Sequence, residues 1–472
     1  MRICHKLLLA SALALAATSE VARSAGAINP TIERKVDEFV SDEMKQQHVP
    51  GVGVAIVQQS NVIAKGYGYA NVEHQVPVTD KTIFQSGSLG KMFTSTVVML
   101  VVEDGKLALT DPITKFFPDA PSSWQAITIR HLLTHTSGIP DYTTSSFDYR
   151  KDYTEDELAH LAFKQTLEFP AGARWNYSNT GYALLGFIVH KVSGKFYGDV
   201  LAERVFKPLG MTTARIINEE DVIPNRAAGY RHVNGQLKNQ EYVSPSLNTT
   251  ADGSLYFSVL DLAKWDAALY TEQLLKRSSL NQMWTPVKLN NGKTYDYGFG
   301  WFLNQIRGHK IIEHGGAWQG FTTHISRYVD DKLTVVTLSN LDSAHSHAEE
   351  ITHLVAGTYI ADLQPLPPPK AIEDKEPVVT QRFRGLVSGL AKGQVNQEDL
   401  VGDAARNLSV ENIKDYSDFF DDMGPAQKVE LLERKAEDNL RSYRYRVTFE
   451  RQTQNLFIKL DQHDKIADFG LE

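Results

Sequence analysis

The chain has 472 residues, 42% of them hydrophobic, with 49 Lys plus Arg against 57 Asp plus Glu and a formal net charge of −8. That length and apolar content can bury a large core and predict more than one domain. The mildly acidic balance, with no basic groove, argues against nucleic-acid binding, and a single cysteine, Cys4, excludes a disulfide framework.

Arg2 and Lys6, the apolar run Leu7 to Ala17 and the small residues around Ala22 to Ala27 have the layout of a secretory signal peptide. The run is too short for a stable membrane span. A signal peptide over residues 1–24 is expected, with cleavage after Ser24 or Ala27, giving a secreted or periplasmic chain with no transmembrane segment. Next come a helical pattern from Pro30 to Gln47 and two strand-like runs, GVGVAIVQQ from Gly51 and NVIAKGYGYANV from Asn61. Tyr69-Ala70-Asn71, inside the second run, reads as ordinary sheet.

Thr82 to Gly87 reads as a short strand running into a turn, and Met92 to Val102 is apolar nearly all round, as in a helix buried at a domain centre. Ser88-Leu89-Gly90-Lys91 lies between them. Residues three apart share a helix face, so the Lys91 amine can lie against the Ser88 oxygen. A serine is inert at neutral pH until a neighbouring base takes its proton, and a desolvated lysine can be that base. Downstream, a Pro/Gly turn leads into Tyr177-Ser178-Asn179, followed by helical periodicity from Gly181 to Val192. A Tyr177 held beside the Lys91 ammonium would have its phenolate favoured and could relay the serine proton. Asn179 could orient Lys91 and the acyl group through its donor and acceptor atoms.

His131 and His135 stand four apart, but no Glu follows His131 and no third ligand is evident, so a helix ending in a capped turn is expected and no metal. Lys310 to Glu313 reads as a strand leading into His314-Gly315-Gly316-Ala317. Glycines there permit close backbone approach to a ligand, so Gly316 and Ala317 become candidate substrate-binding positions at a strand edge. The N–H groups of Ser88 and Ala317 together form a plausible oxyanion hole. THISRYV and KLTVVTLSN are further strands around a turn at Asp330-Asp331, and Thr352 to Asp362 is a helical pattern. His345, His347 and His353 read as solvated surface. From Gly51 onward the organisation is that of an α/β sandwich.

Gln364 to Lys370 is a Pro-rich extended spacer. Beyond it, Arg382 to Lys392 and Val410 to Phe420 look helical. Arg441 to Arg451 alternates, with Tyr443, Tyr445, Val447 and Phe449 on one face, and strands follow at Asn455 to Leu460 and Lys465 to Phe469. A small α+β domain with an antiparallel meander is predicted, faintly similar to a cystatin-like or NTF2-like shape, with the tyrosines in its core. The expected division is a signal peptide over 1–24, a catalytic domain over 28–362, a linker over 363–375 and an accessory domain over 376–472.

The ordered set Ser88-x-x-Lys91, Tyr177-x-Asn179 and His314-Gly315-Gly316 resembles the β-lactamase-related serine hydrolase family. That family embraces class C β-lactamases, D-alanyl-D-alanine carboxypeptidases, D-aminopeptidases and esterases. His131 to Ile139, Leu209-Gly210-Met211, Ser258 to Trp265 and Tyr297 to Trp301 are similar to segments of such chains. The resemblance covers about Ile32 to Ile360. It implies an antiparallel sheet joining N- and C-terminal strands, flanked by terminal helices, with a helical insert from about Leu109 to Thr285. It also implies Ser88 as acylated nucleophile, Lys91 and Tyr177 as the proton-handling pair, Asn179 as an orienting residue, and His314 where β-lactamases usually carry Lys. A neutral imidazole supplies less positive charge for a substrate carboxylate than an ammonium does, which weighs against β-lactam turnover. The expected function is an exported serine hydrolase, without cofactor or metal, acting through an acyl-enzyme on a small-molecule or peptide substrate: an ester, an amide or a D-amino-acid peptide. The alternatives are a slow-acylating penicillin-binding-type sensor and a true β-lactamase.

Overall fold

The structure is a computed structural model describing residues 30–471 apart from 144–146, 218–219, 234, 344, 366–367, 411–412 and 438. The expected signal peptide lies outside the described residues. Helix α1 (Pro30–Gln46) leads into β1 (Gly51–Gln58), β2 (Asn61–Asn71) and the short β3 (Val76–Pro77). The chain then leaves for a largely helical insert containing α2 (Lys91–Glu103) and α3 (Asn179–Ser193). It returns as β4 (Phe302–Ile306), β5 (His309–Trp318), β6 (Phe321–Tyr328) and β7 (Leu333–Ser339), and closes on helix α4 (Ala348–Tyr359). The strands form one antiparallel seven-stranded sheet in the order β4-β5-β6-β7-β1-β2-β3. β1 and β7 are central and buried along almost their whole length, which explains why neither alternates between buried and exposed positions: both faces are covered.

Each face of the sheet has its own core. Val52, Val54 and Ile56 of β1 and Leu333 and Val335 of β7 pack with Val36 and Val40 of α1 and Ile351 and Val355 of α4. On the other face, Ala55, Ile325, Val336 and Leu338 join the apolar interior of the insert, with α2 buried through its middle. Asp266, in the insert, receives a hydrogen bond from Arg327 of β6 at 2.6 Å, both side chains nearly fully buried. Among the described residues no helix is long and apolar enough to cross a membrane.

The C-terminal unit has a separate core. Helices α5 (Pro377–Leu390) and α6 (Ile413–Met423) precede a four-stranded antiparallel meander of β8 (Ala426–Glu437), β9 (Leu440–Phe449), β10 (Thr453–Leu460) and β11 (Ile466–Leu471). Tyr443, Tyr445, Val447 and Phe449 all lie inside, packed with Phe383, Phe420, Ile458 and Phe469. β8 departs from the sequence expectation, which has no strand there. Its pairing with β9 shifts register between Ala426 and Lys428 and again between Leu431 and Glu433, and such irregularities erase the two-residue period that marks a strand. The spacer runs along this sheet: the Ile372 N–H donates to the Leu431 carbonyl at 2.8 Å and Arg446 donates to the Pro369 carbonyl at 2.9 Å.

The histidines expected at the solvated surface are in fact partly covered. His345 packs its ring against His232 with centroids 5.2 Å apart, His347 is half-buried, and His353 contacts the buried Glu313. The helix of which His353 is part docks onto the sheet, which turns this side chain inward. His131 caps its own short helix, its Nδ1 accepting the Thr128 N–H at 3.1 Å.

Candidate active site

α2 opens from a single 3₁₀ turn, Gly87–Gly90, so Ser88 and Lys91 straddle the junction and share a face. Strand Phe84–Gln85, paired with Leu255–Phe257, and the Ser86 N–H to Leu255 carbonyl bond at 2.8 Å anchor the segment before it. Two glycines then let the turn meet β5 backbone to backbone. A Cβ on Gly87 would lie 2.4 Å from the Ala317 nitrogen, and one on Gly316 would lie 2.1 Å from the Ser86 carbonyl oxygen. No larger residue fits either position. Thr323 of β6 fastens the contact by donating to the Ser86 carbonyl at 2.7 Å. Gly316 and Ala317 remain partly open to solvent at this edge.

Lys91 is fully buried and its Nζ donates to three oxygens: Ser88 Oγ at 3.0 Å, Asn179 Oδ1 at 2.7 Å and the Asp252 carbonyl at 2.6 Å. Burial pulls its pKa down to about 8, against the opposing pull of Asp252 and Asp141. An amine of this kind can shed its proton close to neutral pH. Asn179 is held by its other end, Nδ2 donating to Asp141 Oδ2 at 2.9 Å, so its carbonyl oxygen must face the lysine. Ser178 caps α3 by accepting the Gly181 N–H, which sets Tyr177 and Asn179 at the head of that helix.

The Tyr177 ring centroid lies 4.8 Å from Lys91 Nζ. Its hydroxyl is buried and lacks a hydrogen bond of normal geometry, although the Ser88 hydroxyl is near enough to favour the phenolate. Burial outweighs that influence and raises the Tyr177 pKa well above its usual value, with Tyr182, Asp252 and Asp141 pushing the same way. The phenolate expected from sequence is therefore not the resting form: the enclosure that brings the ammonium close also removes the water that would solvate an anion.

His314 faces the same side and is also stripped of charge. Burial lowers its pKa to about 3. A directed chain of hydrogen bonds runs through it. The Ser178 N–H donates to His135 Nδ1 at 3.1 Å, so the His135 proton sits on Nε2 and points at Tyr297 Oη, 3.1 Å away. Tyr297 Oη in turn lies 3.1 Å from His314 Nε2, whose Nδ1 donates to the Gly315 carbonyl at 2.6 Å. Only one tautomer set satisfies all four links, and every member is neutral. The His135 ring lies 4.3 Å from the Tyr177 ring, so the chain also backs the phenol. His135 thus belongs to the pocket.

The structure brings Ser88, Lys91, Tyr177 and Asn179 together and sets the His314 to Ala317 edge beside them. Sequence reading missed Asp141, Asp252 and Tyr142, whose Oη donates to Asp252 Oδ2 at 3.1 Å. Asp141 directly follows the His131 to Ile139 segment and Pro140, and a carboxylate at that point was the available signal.

Residues 36–359 match the Beta-lactamase family. The chain is 33% identical over 327 residues to a penicillin-binding protein of Bacillus subtilis, covering 66% of this chain and 72% of that one. Among solved structures, the octameric penicillin-binding protein homologue from Pyrococcus abyssi superposes with a TM-score of 0.64 at 24% identity. It covers 93% of this chain and 98% of that one, a likeness of fold that includes the C-terminal unit. The D-amino acid amidase from Ochrobactrum anthropi SV3, complexed with L-phenylalanine amide, superposes with a TM-score of 0.62 at 27% identity, over 70% of this chain and 98% of that one. With a hydroxyl and a buried amine in hydrogen-bond contact inside this fold, the chain belongs to the β-lactamase family and is a serine hydrolase.

Proposed function

We propose that the protein is an exported acyl-transfer hydrolase of amides or esters of small D-configured acyl groups, in which Ser88 is the nucleophile and neutral Lys91 its base. The observation that carries this reading is the 3.0 Å contact between Ser88 Oγ and a fully buried amine whose pKa is lowered to about 8. Ser88 Oγ attacks the carbonyl carbon while its proton passes to Lys91 Nζ. The N–H groups of Ser88 and Ala317 hold the resulting oxyanion, a device whose single donors are worth about 3 to 4 kcal/mol of barrier. Collapse of the tetrahedral adduct breaks the bond to the leaving amine or alcohol, which takes a proton from the neutral Tyr177 phenol, reprotonated in turn from Lys91. Water then attacks the acyl-serine while its proton passes to Lys91, and collapse of this second adduct breaks the acyl–Oγ bond, Lys91 returning the proton to Ser88 Oγ as the acid departs.

The preference for an amide of the D-amino-acid type rests on the amidase likeness and on His314. A neutral imidazole at that position provides no cation for a substrate carboxylate, which favours uncharged amide or ester ends over β-lactams and C-terminal carboxylates. Export rests on the N-terminal pattern of Arg2, Lys6 and the apolar run after them. The unit over 376–472 is a separate accessory domain with its own core. The test is a panel of D- and L-amino acid amides, p-nitrophenyl esters, D-Ala-D-Ala peptides and nitrocefin, assayed with wild type and Ser88→Ala. Turnover of D-amides lost in Ser88→Ala is expected. Preference for nitrocefin, or turnover surviving the substitution, overturns the reading.

A further inference from the structure

Strand β5 carries a second cluster of polar groups on the face opposite His314. In the β5–β6 pairing Glu313 stands opposite Ser326 and Gly315 opposite His324, so Glu313, His324 and Ser326 share the face covered by α4. From α4, Glu349 and His353, one helical turn apart, reach the same point. One donor atom from each of Glu313, His324, Glu349 and His353 falls within 4.8 Å of all the others.

Two distances within this group match the ligand-to-ligand spacing of a coordination shell. His324 Nε2 lies 3.2 Å and His353 Nε2 3.1 Å from the same carboxylate oxygen, Glu313 Oε2. For a tetrahedral zinc ion with bonds of about 2.0 to 2.1 Å, neighbouring ligand atoms are roughly 3.3 Å apart. Glu313 is also oriented in the way metal-binding carboxylates are: Asn304 Nδ2 donates to Oε1 at 2.7 Å and Ser326 Oγ to Oε2 at 2.6 Å. Burial of Glu313 and His324 supplies a dry inner side, while exposed Glu349 leaves a path from solvent.

We propose that Glu313, His324 and His353, with Glu349 as the fourth ligand, form a structural zinc(II) site that fastens α4 to the reverse of the strand carrying His314. Sequence reading expects no metal, because the ligands come from two strands and a helix and only Glu349 and His353 are close in the chain. On binding, Zn²⁺ takes the Nε2 lone pairs of both imidazoles, each ring keeps its proton on Nδ1, and any second imidazole proton is released to solvent.

The experiment uses the full chain stripped with EDTA and desalted, then titrated with Zn²⁺ by calorimetry, with metal content measured after gel filtration. Wild type and the exposed-histidine control His74→Ala are expected to retain one zinc per chain. His353→Ala, which removes a half-buried side chain and so is compatible with folding, is expected to weaken binding on the order of 100-fold. The melting temperature of stripped wild type should rise on adding Zn²⁺ and that of His353→Ala should not. Zinc bound equally by wild type and His353→Ala, or less than one equivalent on wild type, overturns the proposal. Circular dichroism of each stripped variant separates loss of ligand from loss of fold.

Discussion

The two faces of β5 treat buried polar groups in opposite ways. On the face toward Ser88, His135, Tyr297 and His314 are enclosed with no carboxylate among the described residues in hydrogen-bond contact, and burial holds the imidazoles neutral. On the reverse face, burial acts on Glu313 in the same sense, but hydrogen bonds from His324 and His353 outweigh it and hold the carboxyl well below its usual range. His353 is raised for the complementary reason, Glu313 outweighing its burial. Adjacent residues of one strand, Glu313 and His314, thus sit in an ionised and a neutral setting. Desolvation decides the charge only where no partner opposes it.

The largest test of the neutral face is the nucleophile itself. Ser88→Ala should lower kcat on the order of 10⁴-fold or more while leaving substrate binding measurable, read by steady-state kinetics and by loss of the acyl adduct in intact-mass measurement. Next comes the base. If neutral Lys91 accepts the serine proton, kcat/KM rises with pH through about 8, as the amine loses its proton in the free enzyme. Lys91→Arg, which keeps the charge and cannot deprotonate, should remove that limb and cost on the order of 10² to 10⁴-fold. A rate flat from about pH 6 to about pH 9 would assign the base elsewhere.

A smaller effect is expected from Tyr297→Phe. The ring stays, but His135 Nε2–H and His314 Nε2 both lose their partner in the interior, at a cost of about 1 to 3 kcal/mol for each orphaned group. Chemical denaturation should show that loss, and a shifted KM would show that His314 has moved. Asn304→Ala gives the smallest change and probes the other face. It removes one donor from Glu313 Oε1 at a solvent-facing position, so a stability loss of about 1 kcal/mol is expected with kcat unchanged. A fall in kcat would mean that the two faces are coupled through β5.

Much of the site was legible because its key spacing is local. Ser88 and Lys91 are three apart on one helical face, and that proximity survives whatever packs around it. Tyr177 and Asn179 were legible as a pattern, although only the fold brings them to the lysine across 88 positions of chain between Lys91 and Asn179. Asp141 and Asp252 were not, because a lone carboxylate in a loop carries no period and no partner in sequence. In the accessory unit, β9 could be read from its alternation, whereas two register shifts hid β8.

The sequence by itself determined the central strands, the buried α2 and the pairing of an alcohol with an amine, since periodicity and short spacing are properties of the chain alone. Only the tertiary structure decided which groups are charged. It lowered Lys91, kept Tyr177 a phenol, wired His314 through Tyr297 to His135, and gathered Glu313, His324 and His353 behind the strand. Protonation and ligand geometry depend on the water excluded and the partners supplied by residues remote in sequence, and folding alone sets both.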